Sequence, residues 1–217
     1  MNVGDVVKRV RAAIDELMVN DSGFLSNSDE ANLRDVIVDK IGYGLNWVLE
    51  NAPSELLDID SLSELTPTEL THFQIGDDGV GRLQLPDDLL RIVEARLSSW
   101  FRAPEIVSAQ SEVYLMQQNR YTRGTWDRPV SVLTHQGTTR QLEMYSAKTA
   151  DDTLQLLIVR KPTAIYNTDT QDSASVGVPI RLEPAFVYHV AGLTMLAFRE
   201  DIASSLLELS EKYLGRS

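Results

Sequence analysis

The chain has 217 residues, 43% hydrophobic and 24% charged, the make-up of a water-soluble globular protein with one sizeable core or two modest ones. Zero cysteines exclude a disulfide framework, an iron–sulfur cluster, a thiolate zinc site and a cysteine nucleophile. The formal charge is −12, from 20 Lys and Arg against 32 Asp and Glu, so the molecule as a whole repels nucleic acid and anionic membrane.

In chain order, Val3, Val6, Val7, Val10, Ala13, Ile14 and Leu17 recur at helical spacing opposite Lys8, Arg9, Arg11, Asp15 and Glu16, which predicts a first helix. DSGFLSNS (21–28) breaks it. Asn27 or Ser28 can then cap a second helix built on Leu33, Val36, Ile37, Ile41, Leu45, Val48 and Leu49, which Pro53 ends. Gly42 and Gly44 weaken that helix by roughly 1 kcal/mol each relative to alanine and point to a bend or a close approach by another backbone. Residues 54–69 read as an acidic connector with one short helical turn.

Alternation in THFQIGDDGVGRLQLP, with Phe73 and Ile75 before GDDG and Val80, Leu83 and Leu85 after it, predicts a hairpin. Pro86, Asp87 and Asp88 then suit the start of a third helix carrying Leu89, Leu90, Ile92, Val93 and Leu97. Beyond a short helical stretch at 111–118, VSVLTHQ, TTRQLEMYS and TLQLLIVRK read as a three-strand meander. KPTAIYNTDTQDSASVGVPI (161–180) lacks periodicity, and unstructured stretches of that length usually have a role. Pro184 opens a helix, AFVYHVAGLTMLAF, apolar nearly all round, which is the centre of a core or part of a subunit interface. A last amphipathic helix ends at Gly215.

The expected fold class is α+β. Helices from the N-terminal, middle and C-terminal parts (1–99 and 182–217, with the hairpin 70–85) form one bundle. An antiparallel β lobe (100–163) is inserted in it, followed by an extended loop or arm (164–181). No stretch approaches the roughly 18 uninterrupted apolar residues of a membrane span, and the opening residues lack a signal peptide's apolar block. Neither membrane association nor export by such a signal is expected.

Convergent chemistry is hard to find. His72, His135 and His189 are scattered without metal-ligand spacing, and His189 lies among apolar helix neighbours where a core histidine is the expected role. No G-x-S-x-G elbow occurs, and Gly42-Tyr43-Gly44 and Gly79-Val80-Gly81 complete no phosphate-binding loop. Asp77-Asp78, Asp87-Asp88 and Asp151-Asp152 fall at predicted turns or helix starts, where Asp is favoured for local reasons. Neither cofactor nor metal is expected.

Charge is unevenly placed: residues 1–81 hold 5 basic and 16 acidic side chains, whereas 82–217 hold 15 and 16. An acidic end serves solubility. Paired with an arginine-bearing surface, it also suits a subunit that stacks on a charged neighbour. NRYTRGTWDRP (119–129) packs Arg120, Arg123 and Arg128 around Tyr121 and Trp126. Arginine beside aromatics stacks on nucleobases or forms protein interface hot spots, and the net charge favours protein contact; packing inside the lobe is the alternative. The interface candidates are Arg102, Arg120, Tyr121, Arg123, Trp126 and Arg128, with Tyr166 on the arm.

LPDDLLRIVEARLSSW (85–100), YLMQQNRYTRGTWDRPVSVL (114–133), QLEMYSAKTADDTLQLLIVRKP (141–162) and LEPAFVYHVAGLTMLAF (182–198) share order and texture with one family. In these stretches the chain resembles the head-to-tail adaptor, or ring, proteins of tailed bacteriophages, especially short-tailed and crAss-like phages. The resemblance implies a virion structural protein made in the bacterial host cytoplasm and placed at the head–tail junction. It would form a homo-oligomeric ring, usually of twelve copies, between the portal protein and the tail proteins, with double-stranded DNA passing through its channel. It would be no enzyme. The acidic first third could line that channel and let phosphates slide. The rival readings are a small soluble enzyme using Asp87, Asp88, Asp151 and Asp152, and a monomeric helical binding module.

Overall fold

Spacing dictates the first element: Val3, Val6, Val7, Val10, Ala13 and Ile14 share one face of helix α1 (Val3–Leu17) and are all buried, while Lys8, Arg9 and Asp15 stay exposed. The computed structural model describes residues 1–17, 27–119, 121–137, 139–148 and 151–215, without the side chains of 27–32 and 136. Most of the expected break at 21–28 and the expected Asn27 or Ser28 cap lie outside that description. Helix α2 (Asn27–Asn51) buries Leu33, Ile37, Val38, Ile41, Leu45, Val48 and Leu49.

The fold is α+β, and the chain divides into two compact units, one of residues 1–61 with 161–217 and one of 62–160. The expected partition at 99/100 and 163/164 is thereby replaced. The hairpin over 70–85 and the segment 86–99 belong to the sheet-bearing unit.

That unit runs β1 (Ser63–Glu64), α3 (Pro67–Leu70), β2 (Phe73–Ile75), β3 (Val80–Gln84), β4 (Leu89–Leu97), β5 (Glu105–Ser108), α4 (Glu112–Gln118), β6 (Val130–Gln136), β7 (Thr139–Tyr145) and β8 (Leu154–Arg160). One sheet has the order β1-β8-β4, the other β2-β3-β7-β6-β5. All pairs are antiparallel except β5 with β6, whose crossover contains α4. Leucines from both sheets, among them Leu83, Leu97, Leu142 and Leu156, meet around Trp100 and Met144 in one core. On the other face of the larger sheet, Val80, Val132 and Tyr145 form a second cluster against which Tyr114 of α4 packs.

The hairpin forms as alternation predicts, with Gly79 at φ +71° in the turn. The helix expected over 86–98 does not form; the segment is β4. Its ladder to β8 is irregular between Leu89 and Arg91 and again between Ile92 and Glu94. These bulges turn Leu89, Ile92, Ala95 and Leu97 toward the core, a 3-3-2 spacing that imitates a helix. The expected meander is also corrected. β6 and β7 pair, but β8 crosses to the other sheet between β1 and β4.

In the other unit, α5 (Glu183–Met195) is buried at Phe186, Val187, Val190, Ala191 and Met195 and packs against α1, α2 and α6 (Glu200–Tyr213). Its all-round apolarity up to Met195 therefore marks the centre of a core, while Leu196 and Phe198 just beyond it are exposed. Gly44 of α2 admits it closely: a Cβ there would stand 2.5 Å from Val190 Cγ2. The arm over 164–181 has little regular structure but is tied down. Ala174 and Asp172 carbonyls accept from the amides of Val3 and Gly4, and Val176 donates to Met1. Arg34 donates to the Thr170 carbonyl at 3.1 Å and pairs with Asp172 at 2.6 Å. No helix among the described residues is long and apolar enough to cross a membrane.

Candidate functional site

The exposed large apolar side chains of the sheet-bearing unit all fall between Phe101 and Trp126, and the loop that carries them is held firmly. Ser111 caps α4 by accepting from the Tyr114 amide at 3.2 Å. At the other end of α4, buried Gln117 accepts from the Gly124 amide at 2.8 Å and donates to the Val113 carbonyl at 3.0 Å. Thr122 donates to the Met116 carbonyl at 2.7 Å. The Ser146 hydroxyl donates to the Gly124 carbonyl, and Ser146 itself sits at φ +69°.

Arg123 is the tie that fixes this loop to the sheet. Its Nε donates to the Gln117 carbonyl at 3.0 Å, its Nη1 to the Asp78 carbonyl at 2.8 Å, and its guanidinium lies 5.3 Å from the Tyr145 ring centroid. Burial, together with the hydrogen bond to Glu143 at 2.7 Å, pushes the Tyr145 phenol above its ordinary value. Arg123 is thus half-buried and committed within its own chain.

The outer layer is free to meet a partner. Phe101 and Trp126 meet edge to face at 4.6 Å and 61°, with Lys148 Nζ 5.2 Å from the indole. Arg102 and Arg128 are exposed, and the Arg102 Nε donates to the Asp127 carbonyl at 2.8 Å. Tyr121 is 96% exposed. The structure therefore gathers Arg102, Tyr121, Trp126 and Arg128 on one loop system; Arg120 lies outside the described residues.

Tyr166 belongs to the other unit. It is buried, its hydroxyl donates to the Ser175 carbonyl at 3.0 Å, and burial pushes its phenol up. As an interface candidate it is corrected: the ring anchors its own arm. Phe101, Leu115 and Met116, all exposed, were missed. The signal for the last two was available, since α4 has only seven residues and cannot bury apolar groups on every side.

The carboxylates proposed for an enzyme do not converge. Asp88 pairs with Arg160 at 2.9 Å beside the Leu89↔Arg160 end of the β4–β8 ladder. Asp152 takes the Ser99 hydroxyl at 2.6 Å and the Lys148 amide at 2.9 Å beside the Leu97↔Leu154 end. Eight strand steps separate those ends by roughly 25 Å. His72 and His135 are exposed, and His189 is buried against Trp47. Among the described residues no group of three or more His, Asp and Glu is placed to hold a metal ion. Comparison with family models and with curated proteins finds no match to this chain.

Proposed function

We propose that this protein is a head-to-tail connector subunit of a tailed bacteriophage, a virion structural protein that forms a ring between the portal and the tail proteins. The observation that carries the reading is the rigid, exposed arginine–aromatic surface over residues 101–128, in a chain whose acidic pairs lie at opposite ends of a sheet. Aromatic residues and arginine on a pre-ordered loop are the make-up of interface hot spots. The resemblance of four stretches, 85–100, 114–133, 141–162 and 182–198, to the adaptor family supports the same reading.

In this reading the helices of 1–61 and 183–213 act as one bundle carrying the sheet-bearing unit as an inserted lobe, and the ring has twelve copies. The helical unit holds 10 Lys and Arg against 19 Asp and Glu, the other unit 10 against 13, so most of the acidic excess lies in the helical unit; in this reading the acidic residues of the first third line the DNA channel and repel its phosphates. The test is light scattering and negative-stain microscopy of the purified chain, alone and with a portal protein. Rings are expected; a dispersed monomer under both conditions overturns the proposal. An electron microscopy map with the carboxylates of residues 1–81 on the outside overturns the channel lining.

A further inference from the structure

β1 covers only a short part of β8. It pairs with Leu157 and Ile158 before the chain turns away, so the flank of β8 over residues 154–156 that faces away from β4 has no strand partner among the described residues. A cavity of about 320 Å³ opens there, lined by Leu65, Leu70, Leu156 and Leu157 together with Glu64 and Glu94. Register places Glu64, Leu157 and Glu94 in one row across the three strands. Two inter-strand spacings set the Cα atoms of the two glutamates about 10 Å apart, with a leucine between them. Both are exposed, and neither has an ion-pair partner among the described residues.

A half-exposed leucine, Leu157, between two exposed carboxylates fits a cation carried beside an apolar group. An arginine would lay its guanidinium between the carboxylates and its methylene stem, or a neighbouring ring, on Leu157. The same chain presents that chemistry elsewhere: Arg128 is exposed two residues from Trp126, and Trp126 meets Phe101 edge to face. The loop lies on the larger sheet's strand connections and the cavity on the smaller sheet. A contact between them in two copies is therefore heterologous, each copy giving one surface and receiving on the other, which is the arrangement a closed ring requires.

We infer that the Glu64–Glu94 cavity receives the Arg128–Trp126 corner of a second copy of this chain. This deepens the connector reading and rests on it. The attraction is between unlike charges at a rim, so it sets register and partner choice and weakens with salt.

Charge exchange and engineered cysteines test it, the latter cleanly because the chain has no cysteine of its own. Glu94→Arg alone and Arg128→Glu alone are each expected to weaken self-association at least tenfold in analytical ultracentrifugation. The double variant should restore it, which also shows that both chains fold. Glu94→Cys with Arg128→Cys should give a ladder of covalently linked chains on mild oxidation. If oligomers form with undiminished affinity in both single variants and no ladder appears, this contact is overturned while the ring reading stands. The contact is equally overturned if Glu94→Arg impairs only binding to a portal protein. If the unmodified chain stays monomeric alone and with the portal, the ring reading falls and takes this inference with it.

Discussion

The imidazole of His189 lies flat on the indole of Trp47, ring centroids 3.8 Å apart and planes 7° from parallel. Nδ1 stands 3.5 Å from the Ser210 hydroxyl, and the ring is buried. Burial pulls this histidine from 6.5 down to about 4. Between those values the unfolded chain binds a proton that the folded chain does not. Stability is therefore unaffected by this group above pH 6.5 and falls as pH drops toward 4, by up to about 1.4 kcal/mol per unit. Urea denaturation at pH 7.5 and 5 should show the loss, and His189→Gln should flatten the difference. An equal slope in both proteins would refute the assignment.

Arg160 sets a second acid-sensitive contribution of the same sign, in a lower pH window. Its guanidinium lies 2.7 Å from Glu69 and 2.9 Å from Asp88, while Thr66 donates its backbone amide to Glu69 at 2.7 Å. The Arg160 hydrogen bond, helped by Thr66, holds the Glu69 carboxyl at about 2 against an ordinary 4.5. The stabilisation is complete above pH 4.5 and is lost as pH falls from there toward 2. Arg160→Met should cost about 1–3 kcal/mol at pH 7, because two carboxylates lose a charged donor. Glu69→Gln should remove part of the acid-induced loss between pH 4.5 and 2, as read by tryptophan fluorescence.

The two glycines of α2 give a prediction with opposite signs. A Cβ on Gly44 would press on Val190 at 2.5 Å, whereas a Cβ on Gly42 meets no described atom within 4 Å. Gly42→Ala should stabilise by up to about 1 kcal/mol through helix propensity. Gly44→Ala should destabilise by about 1–2 kcal/mol, the clash outweighing the same gain. Thermal melts of the two variants decide it, and a Gly44→Ala chain as stable as Gly42→Ala would mean that α5 can retreat.

Those glycines also show what could be read from residues alone. A glycine in a helix announces that something comes near without saying what, and the partner, Val190, lies 146 positions away in a helix whose apolarity fitted a core centre and a subunit interface equally. The hairpin at Gly79 was legible because its signal is local and its alternation unbroken. β4 was not, because two bulges reset its alternation and left a helix-like spacing. The arginine–aromatic segment was legible as a surface, but the division of labour within it was not. Arg123 and Arg128 differ by what surrounds them: Asp78 and Tyr145 come from distant strands to hold the first, and the second is left exposed. Tyr166 was misjudged for the same reason, since the carbonyl that takes its hydroxyl belongs to a fold-back of the arm that has no periodic signature.

That fold-back yields the last prediction. Residues 168–176 are held by the N-terminal residues and by one arginine of α2. Arg34 reaches the Thr168 carbonyl at 3.5 Å, the Thr170 carbonyl at 3.1 Å and Asp172 at 2.6 Å, while the Gly4 amide donates to the Asp172 carbonyl at 2.9 Å. Because the ion pair is partly exposed, its net worth is small and its removal should leave the global melting temperature within a few degrees. Local opening is another matter, since Arg34 supplies three of the bonds that fix a segment without regular structure. Arg34→Ala should raise hydrogen exchange at the Gly4 and Val176 amides by about tenfold and make the arm cleavable by a low dose of protease. Arg34→Lys, which keeps the charge but not the fork, should give an intermediate rate. Exchange unchanged in both variants would place the hold on the arm in the backbone bonds to Met1, Val3 and Gly4, and removing the first four residues would then produce the effect instead.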